Sequence, residues 1–178
     1  MPAEEVPLGE LVLETERIIL RKFTIRDGEF IFRLLNSPGW LRNIGTRNIS
    51  SKADAEKYIT EKLMPPYLSS WFGFYVIELK QTGESAGMCG LVKREGLEDV
   101  DIGFALLPEY EGKGYAFESA LAVLDYAKNE LKMSRLAAVT IAENNGSIKL
   151  LEKLGLRFEK KIILPGDNEE LMLFAIDF

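Results

Sequence analysis

The chain has 178 residues, close to half of them apolar, with 28 acidic against 22 basic side chains and a formal net charge of −6. That length suits one domain with a sizeable core, and without a block of Lys and Arg an extended nucleic-acid footprint is excluded, since phosphate neutralisation needs clustered cations. One cysteine, Cys89, excludes an internal disulfide; with no histidine the commonest base and zinc ligand are gone, so catalysis falls to carboxylates, hydroxyls, main-chain groups or water, and no metal is expected.

In chain order, "MPAEEVPLGELVLE" is acidic, without a basic segment or a long apolar run. It reads as neither signal peptide nor membrane span; a cytoplasmic protein is expected, with residues 1–12 as an N-terminal extension. "RIILRKF" (Arg17 to Phe23) is β-branched and suits a strand, and Phe30, Ile31, Leu34 and Leu35 follow at helical spacing until Pro38 and Gly39 stop the helix. Ser51 caps a second helix through Ala55, Tyr58, Ile59 and Leu63, which Pro65 and Pro66 end. "WFGFYVIELK", "AGMCGLVKR" and "DVDIGFALL" are three strand-like runs separated by turn-forming segments, an antiparallel meander. An amphipathic helix "AFESALAVLDYAKNEL", a strand "RLAAVTIA", a short helix "SIKLLEKLG" and a closing hairpin around "PGDNEE" complete the chain. The expectation is one α+β domain over residues 1–178, its central sheet mixed and largely antiparallel and flanked by helices.

Two segments carry chemistry. "PEYEGKGYAFESAL" (Pro108 to Leu121) runs from a strand through a glycine-rich turn into a helix start, where unpaired N–H groups and the helix dipole favour an anion and Gly112 and Gly114 permit close approach. An ordinary strand-to-helix turn has the same composition, and neither a Walker loop nor a Rossmann fingerprint fits. In "AENNGSIKLLEKLG" (Ala142 to Gly155) a strand ends in two asparagines, Ser147 caps a short helix and Gly155 closes it. Cys89 sits in an apolar run and reads as a small buried hydrophobe.

These segments, with "LETERIILRKFTIRD" (Leu13 to Asp27) ahead of "DIGFALLPEYEGKGYAFESA" (Asp101 to Ala120) and "ENNGSIKLLEKLG" (Glu143 to Gly155), make nearly the whole chain resemble the GNAT superfamily of acyl-coenzyme-A-dependent N-acetyltransferases. Within it the chain is most similar to the branch that acetylates ribosomal-protein N-terminal residues. The resemblance implies acetyl-coenzyme A as cosubstrate, its pantetheine amides paired with the main chain of Phe104, Ala105 and Leu106 as an added strand. Its pyrophosphate would rest on the N–H groups of Gly112, Lys113, Gly114, Tyr115, Ala116 and Phe117, with Asn144 bonded to the pantetheine arm. A neutral amine would attack the thioester directly, with Asp101, where the family often has glutamate, as the base; a solvated edge carboxylate is the alternative. Leu151 stands where many members carry a proton-donating tyrosine, which leaves Ser147 as the nearest hydroxyl, either acid or cap. Glu111 replaces a Gln or Arg and is expected to face solvent.

The acceptor is expected among "SPGWLRNIGTRNIS", "LMPPYLSSW" and "LPGDNEE", with Trp40, Tyr67 and Trp71 as pocket aromatics or packing and Glu169 and Glu170 as attractors of an amine or plain turn residues. The leading acceptor is a peptide N-terminal α-amine. The alternatives are a small-molecule amine, or a non-catalytic acyl-coenzyme-A-binding module, which Leu151 and the short Asp101 would suit. No membrane or nucleic-acid partner is expected, and the protein is a monomer or homodimer.

Overall fold

The structure, a computed structural model, describes residues 9–178. An eight-stranded sheet has the order β1-β2-β3-β4-β5-β6-β8-β7. Its strands are β1 (Leu11–Glu14), β2 (Ile18–Lys22), β3 (Phe74–Leu79), β4 (Ser85–Val92), β5 (Asp101–Leu106), β6 (Arg135–Thr140), β7 (Arg157–Ile162) and β8 (Leu171–Asp177). All neighbours are antiparallel except β5 and β6. The meander β3–β4–β5 and the hairpin β7–β8 match the sequence expectation. Leu11 and Val12, placed in the extension by sequence, instead belong to β1, and residues 1–8 of that extension lie outside the described residues.

Period-two alternation along the strands divides the core between the two faces of the sheet. Tyr75, Ile77 and Leu79 point into one cluster, with Ala120, Val123 and Leu124 of α5 (Tyr115–Asn129) and Leu151 and Leu154 of α6 (Asn145–Leu154). Val76 and Met88 point into the other, with Ile31, Leu34 and Leu35 of α1 (Gly28–Leu35), Trp40 of α2 (Pro38–Asn43) and Ala55 of α3 (Lys52–Tyr58). Pro38 does end α1, but it also opens α2, because a ring that lacks an N–H and fixes φ suits a first helical position as well as it stops a preceding turn. Ser51 caps α3, its side chain accepting from Asp54 N. A π turn over Ile59–Leu63 continues α3, and a short helix α4 (Pro66–Ser69) follows.

The buried Arg21 ties these parts together. Its guanidinium donates to Asp27 at 2.8 and 3.0 Å and to Glu78 at 2.6 Å, while Asp27 also accepts from Thr24 N at 2.9 Å. The entry of α1 is thereby fixed to β2 and β3. Burial of these charges is tolerable only because each is paired and hydrogen-bonded.

Candidate active site

The sheet opens at its one parallel seam. β5 and β6 pair only at Asp101 with Ala137, where Ala137 N bonds Val100 O at 2.9 Å, and no pairing follows toward Leu106 and Thr140. Main-chain direction alternates along a strand. Leu107 N bonds Ala86 O on β4, so residues 105 and 103 also turn toward β4, whereas Phe104 and Leu106 turn toward the gap. Ala105 therefore leaves the set of expected pairing residues: its main chain is committed to β4.

At the far end of β5 lies the glycine turn. Gly112 and Gly114 have φ of +73° and +85°, the left-handed region that glycine enters without strain, and a side chain at Gly112 would meet nothing within 4 Å. Glu118 N is the first α5 amide to bond back, to Gly114 O at 3.0 Å, and Gly114 makes no side-chain cap. The N–H groups of Tyr115, Ala116 and Phe117 lie in the first turn, ahead of any intrahelical acceptor.

Cations surround this helix start. Arg17 donates to Lys113 O at 2.9 Å, pairs with Glu118 at 2.6 Å and stacks 4.5 Å above the Tyr115 ring, while Lys153 lies 4.0 Å above the Phe117 ring. Burial alone would raise the Glu118 carboxyl, but hydrogen bonds from Thr15 and Arg17 hold it below the usual range. Glu111 is exposed, with Oε1 3.6 Å from where a Cβ on Gly39 would sit, so no carboxylate closes the turn from that position.

A cavity of about 460 Å³ adjoins the gap. Phe104 and Ala105 line it from β5, Thr140 from β6, and Asn144, Ser147 and Leu151 from α6. All three segments expected to shape the acceptor reach it: Trp40, Asn43 and Arg47 from the first, Pro66 and Ser70 from the second, Leu164, Asp167 and Glu169 from the third. Of the three aromatics expected there, Trp40 alone lines it, with its buried indole N–H unpartnered among the described residues. Tyr67 is structural, its hydroxyl accepting from Phe23 N and donating to Phe74 O. Trp71 is 82% exposed, and Glu170 pairs with Lys161 at 3.3 Å.

Asp101 is the cavity's buried carboxylate, 1% exposed, which removes the solvated-edge alternative. Arg94 Nε donates to both its oxygens at 3.0 Å. Burial pushes its pKa up to about 6, against the opposing pull of Arg94. Sequence reasoning missed Arg94, whose distance from Asp101 depends on the β4–β5 turn, and also Tyr58 and Thr140, further hydroxyls on the cavity.

The cap of α6 is a correction. Asn144, not Ser147, is the N-cap: its Oδ1 accepts from Ser147 N at 3.2 Å and its Nδ2 donates to Ser147 Oγ at 3.1 Å. Both residue types cap well, and the one that sits where the chain leaves β6 takes the role. Ser147 is left as a hydroxyl on the cavity wall, and Leu151 places only an apolar side chain there.

The acetyltransferase (GNAT) domain family model matches residues 17–157. The chain belongs to the GNAT acetyltransferase family. A relative in Bacillus subtilis, the uncharacterized protein YkkB, is 33% identical over 156 residues, covering 84% of this chain and 87% of its own. A GNAT-family acetyltransferase structure from Bacillus anthracis superposes with a TM-score of 0.76 at 25% identity over 92% of this chain and 96% of that one. RimL, a ribosomal L7/L12 alpha-N-protein acetyltransferase in complex with coenzyme A, shares the fold with a TM-score of 0.80 at 16% identity over 95% and 98% of the two chains. Against this GNAT frame, a second groove of about 760 Å³ between the β1–β2 turn and α5 carries Glu14, Glu16, Glu118, Asp125 and Glu130 with Arg17, a poor host for phosphates.

Proposed function

We propose that this acetyltransferase moves an acetyl group from acetyl-coenzyme A to the α-amine of a peptide N-terminus. The observation that carries the reading is one cavity bounded on one side by the unpaired edge of β5 and on the other by buried Asp101 and the three acceptor segments. Donor and acceptor are thereby held together, and orientation supplies much of the rate.

The residues present fit a coenzyme A. Phe104 and Leu106 offer free main-chain groups to an amide-bearing arm entering the gap, and Asn144 stands on the α6 side of it. The open Gly112, the left-handed Gly114 and the first-turn N–H groups of Tyr115, Ala116 and Phe117 suit a pyrophosphate. Lys113, exposed on the turn, adds a cation. The bound thioester supplies an activated acetyl group. Asp101, half ionised near pH 6, takes the proton from the incoming ammonium, directly or through water, and Arg94 orients the carboxylate. Ser147, a hydroxyl on the cavity wall, would be the proton source for the departing thiolate, although a thiolate leaves tolerably well near neutral pH without one.

A cavity of about 460 Å³ also has the size of a small-molecule site, which favours a free amine as the second reading. The test is coenzyme A release in the presence of peptides of varied first residue and of free amines, with the product's mass confirming one acetyl on the α-nitrogen. Peptides should be turned over with higher kcat/KM than any free amine; the reverse order assigns the small molecule, and donor binding with no transfer leaves only a binding module.

A further inference from the structure

Charge is distributed unevenly around the cavity. Arg47, after α2, and Lys62, in the π turn at the end of α3, line it from the helical side, and neither is in an ion pair among the described residues. The Arg47 guanidinium lies 5.9 Å from the centre of the Trp40 ring and donates to nothing further away than its neighbour Thr46 O. Across the cavity, Asp167 and Glu169 line it from the β7–β8 loop; among the described residues Asp167 accepts only from the Asn168 and Glu169 amides, and exposed Glu169 is in no ion pair. Other basic side chains that reach carboxylates, such as Arg17, Arg33, Lys80 and Arg135, are paired with them.

The two rims also differ in where they stand relative to Asp101. Leu97 in the β4–β5 turn shares an apolar cluster with Leu164 of the β7–β8 loop, and Gly96 packs so close to Pro165 that a Cβ would come within 2.3 Å of it. Asp101, which starts β5, thus belongs to the side bearing Asp167 and Glu169. Inside the cavity its own charge is answered by Arg94. Lys93 also lines the wall beside the base, its ammonium tied to the Leu97 and Glu98 carbonyls rather than to a carboxylate; apart from it, the lining charges without an ion-pair partner among the described residues are acidic on the rim beside the base and cationic on the rim opposite.

We propose that the acceptor is a primary amine carrying an anionic group in the same molecule, its ammonium drawn to Asp167 and Glu169 on the way to Asp101 and its carboxylate or phosphate held by Arg47 and Lys62. This rests on the acetyl-transfer reading above and adds the acceptor's charge pattern to it. A polycation gains at the acidic rim what it loses at the cationic one, so the arrangement selects by repulsion as well as attraction. The same chemistry is offered by a peptide with Asp or Glu beside its first residue and by a free acidic amino acid, and the two sources are separable by assay.

The experiment compares kcat/KM for three peptides differing only at the second residue, Asp, Ala or Lys, together with free glutamate and a polyamine. The acidic peptide should exceed the lysine peptide by about tenfold at low salt, and the preference should shrink at about 0.5 M salt as exposed charges are screened. Arg47→Glu combined with Lys62→Glu should move that ratio by at least about tenfold toward the lysine peptide, and the milder Arg47→Gln with Lys62→Gln should move it part of the way. An unchanged thermal shift with acetyl-coenzyme A establishes that the variants are folded. Free glutamate outrunning every peptide assigns the small-molecule source. A wild-type preference for the lysine peptide or the polyamine, or a ratio that both double variants leave unmoved, overturns the proposal while acetyl transfer itself stands; absence of transfer to any amine overturns both.

Discussion

Gly112→Asp abolishes most of the rise in melting temperature that acetyl-coenzyme A gives the wild-type protein. At a ligand concentration about a hundred times the dissociation constant, linkage contributes roughly 2.7 kcal/mol, which for a chain of this size is about 5 to 10 °C. The turn at Gly112 is open, so an added side chain meets no neighbour and φ of +73° costs an aspartate only about 1 kcal/mol of backbone strain, but a carboxylate now stands beside the first-turn N–H groups where the phosphates would lie. Gly114→Val acts by the other route. With φ at +85° a β-branched residue is strained, and its Cβ comes 3.2 Å from the Arg17 guanidinium that holds the turn. The ligand-free melting temperature should therefore drop clearly for Gly114→Val and only by a few degrees for Gly112→Asp, while the ligand-induced rise shrinks below about 2 °C in both. A full wild-type rise in both variants removes the turn from the donor site.

Asp101→Asn lowers kcat/KM by about a hundredfold or more near neutral pH, the range in which a positioned base contributes. In the wild type the rate should climb as Asp101 ionises around pH 6 and then level off. The variant lacks that limb and recovers only at alkaline pH, where free amine forms without a base. Arg94→Gln removes the cation that opposes the effect of burial, so the midpoint of the wild-type limb should move upward. Superimposable profiles for wild type and Asp101→Asn would reduce Asp101 to a structural carboxylate. In the same assay Ser147→Ala should lose little turnover at saturating donor, since a thiolate leaves tolerably well without an acid, and little stability, since Asn144 is the cap of α6; a loss of turnover near a hundredfold would make Ser147 the acid that Leu151 cannot be.

Stability carries a matching sign. The folded-state pKa of Asp101 is raised, so between about pH 4 and pH 6 the folded protein keeps a proton that the unfolded chain releases. Its contribution to stability is full below that window and is lost as pH rises through about 6, and Asp101→Asn should flatten the decline.

The elements that were legible in the sequence are those set by local pattern. Alternation through Tyr75, Ile77 and Leu79 and the turn segments on either side of β4 gave the meander, and the glycine turn marked the start of α5 before any fold was known. What local pattern does not encode is which competing residue acquires a role once the chain is packed. Asn144 and Ser147 are equally good caps until β6 ends, and Pro38 reads as a stop although it is also a start. The burial of Asp101 was hidden in "EDVD", an acidic run that looks solvated; only the sheet's closure beneath it and the return of Arg94 across the β4–β5 turn put it in the interior. Trp71 illustrates the opposite error, an aromatic residue whose size suggested a pocket wall but which stands in solvent with φ of +65°. The charge split between the cavity rims was invisible for the same reason, its four residues lying on segments brought together only by the fold.

The most direct measurement is backbone amide hydrogen exchange with and without acetyl-coenzyme A, because the donor site is built from main-chain groups that mutation reaches only indirectly. Slower exchange on ligand addition is expected at Tyr115, Ala116 and Phe117 in the first turn of α5 and at Phe104 and Leu106 along the open edge of β5, with Ala105, already bonded toward β4, little changed. Protection confined to the groove between the β1–β2 turn and α5, with the amides of Phe104, Leu106 and Tyr115 to Phe117 unaffected, would contradict the account.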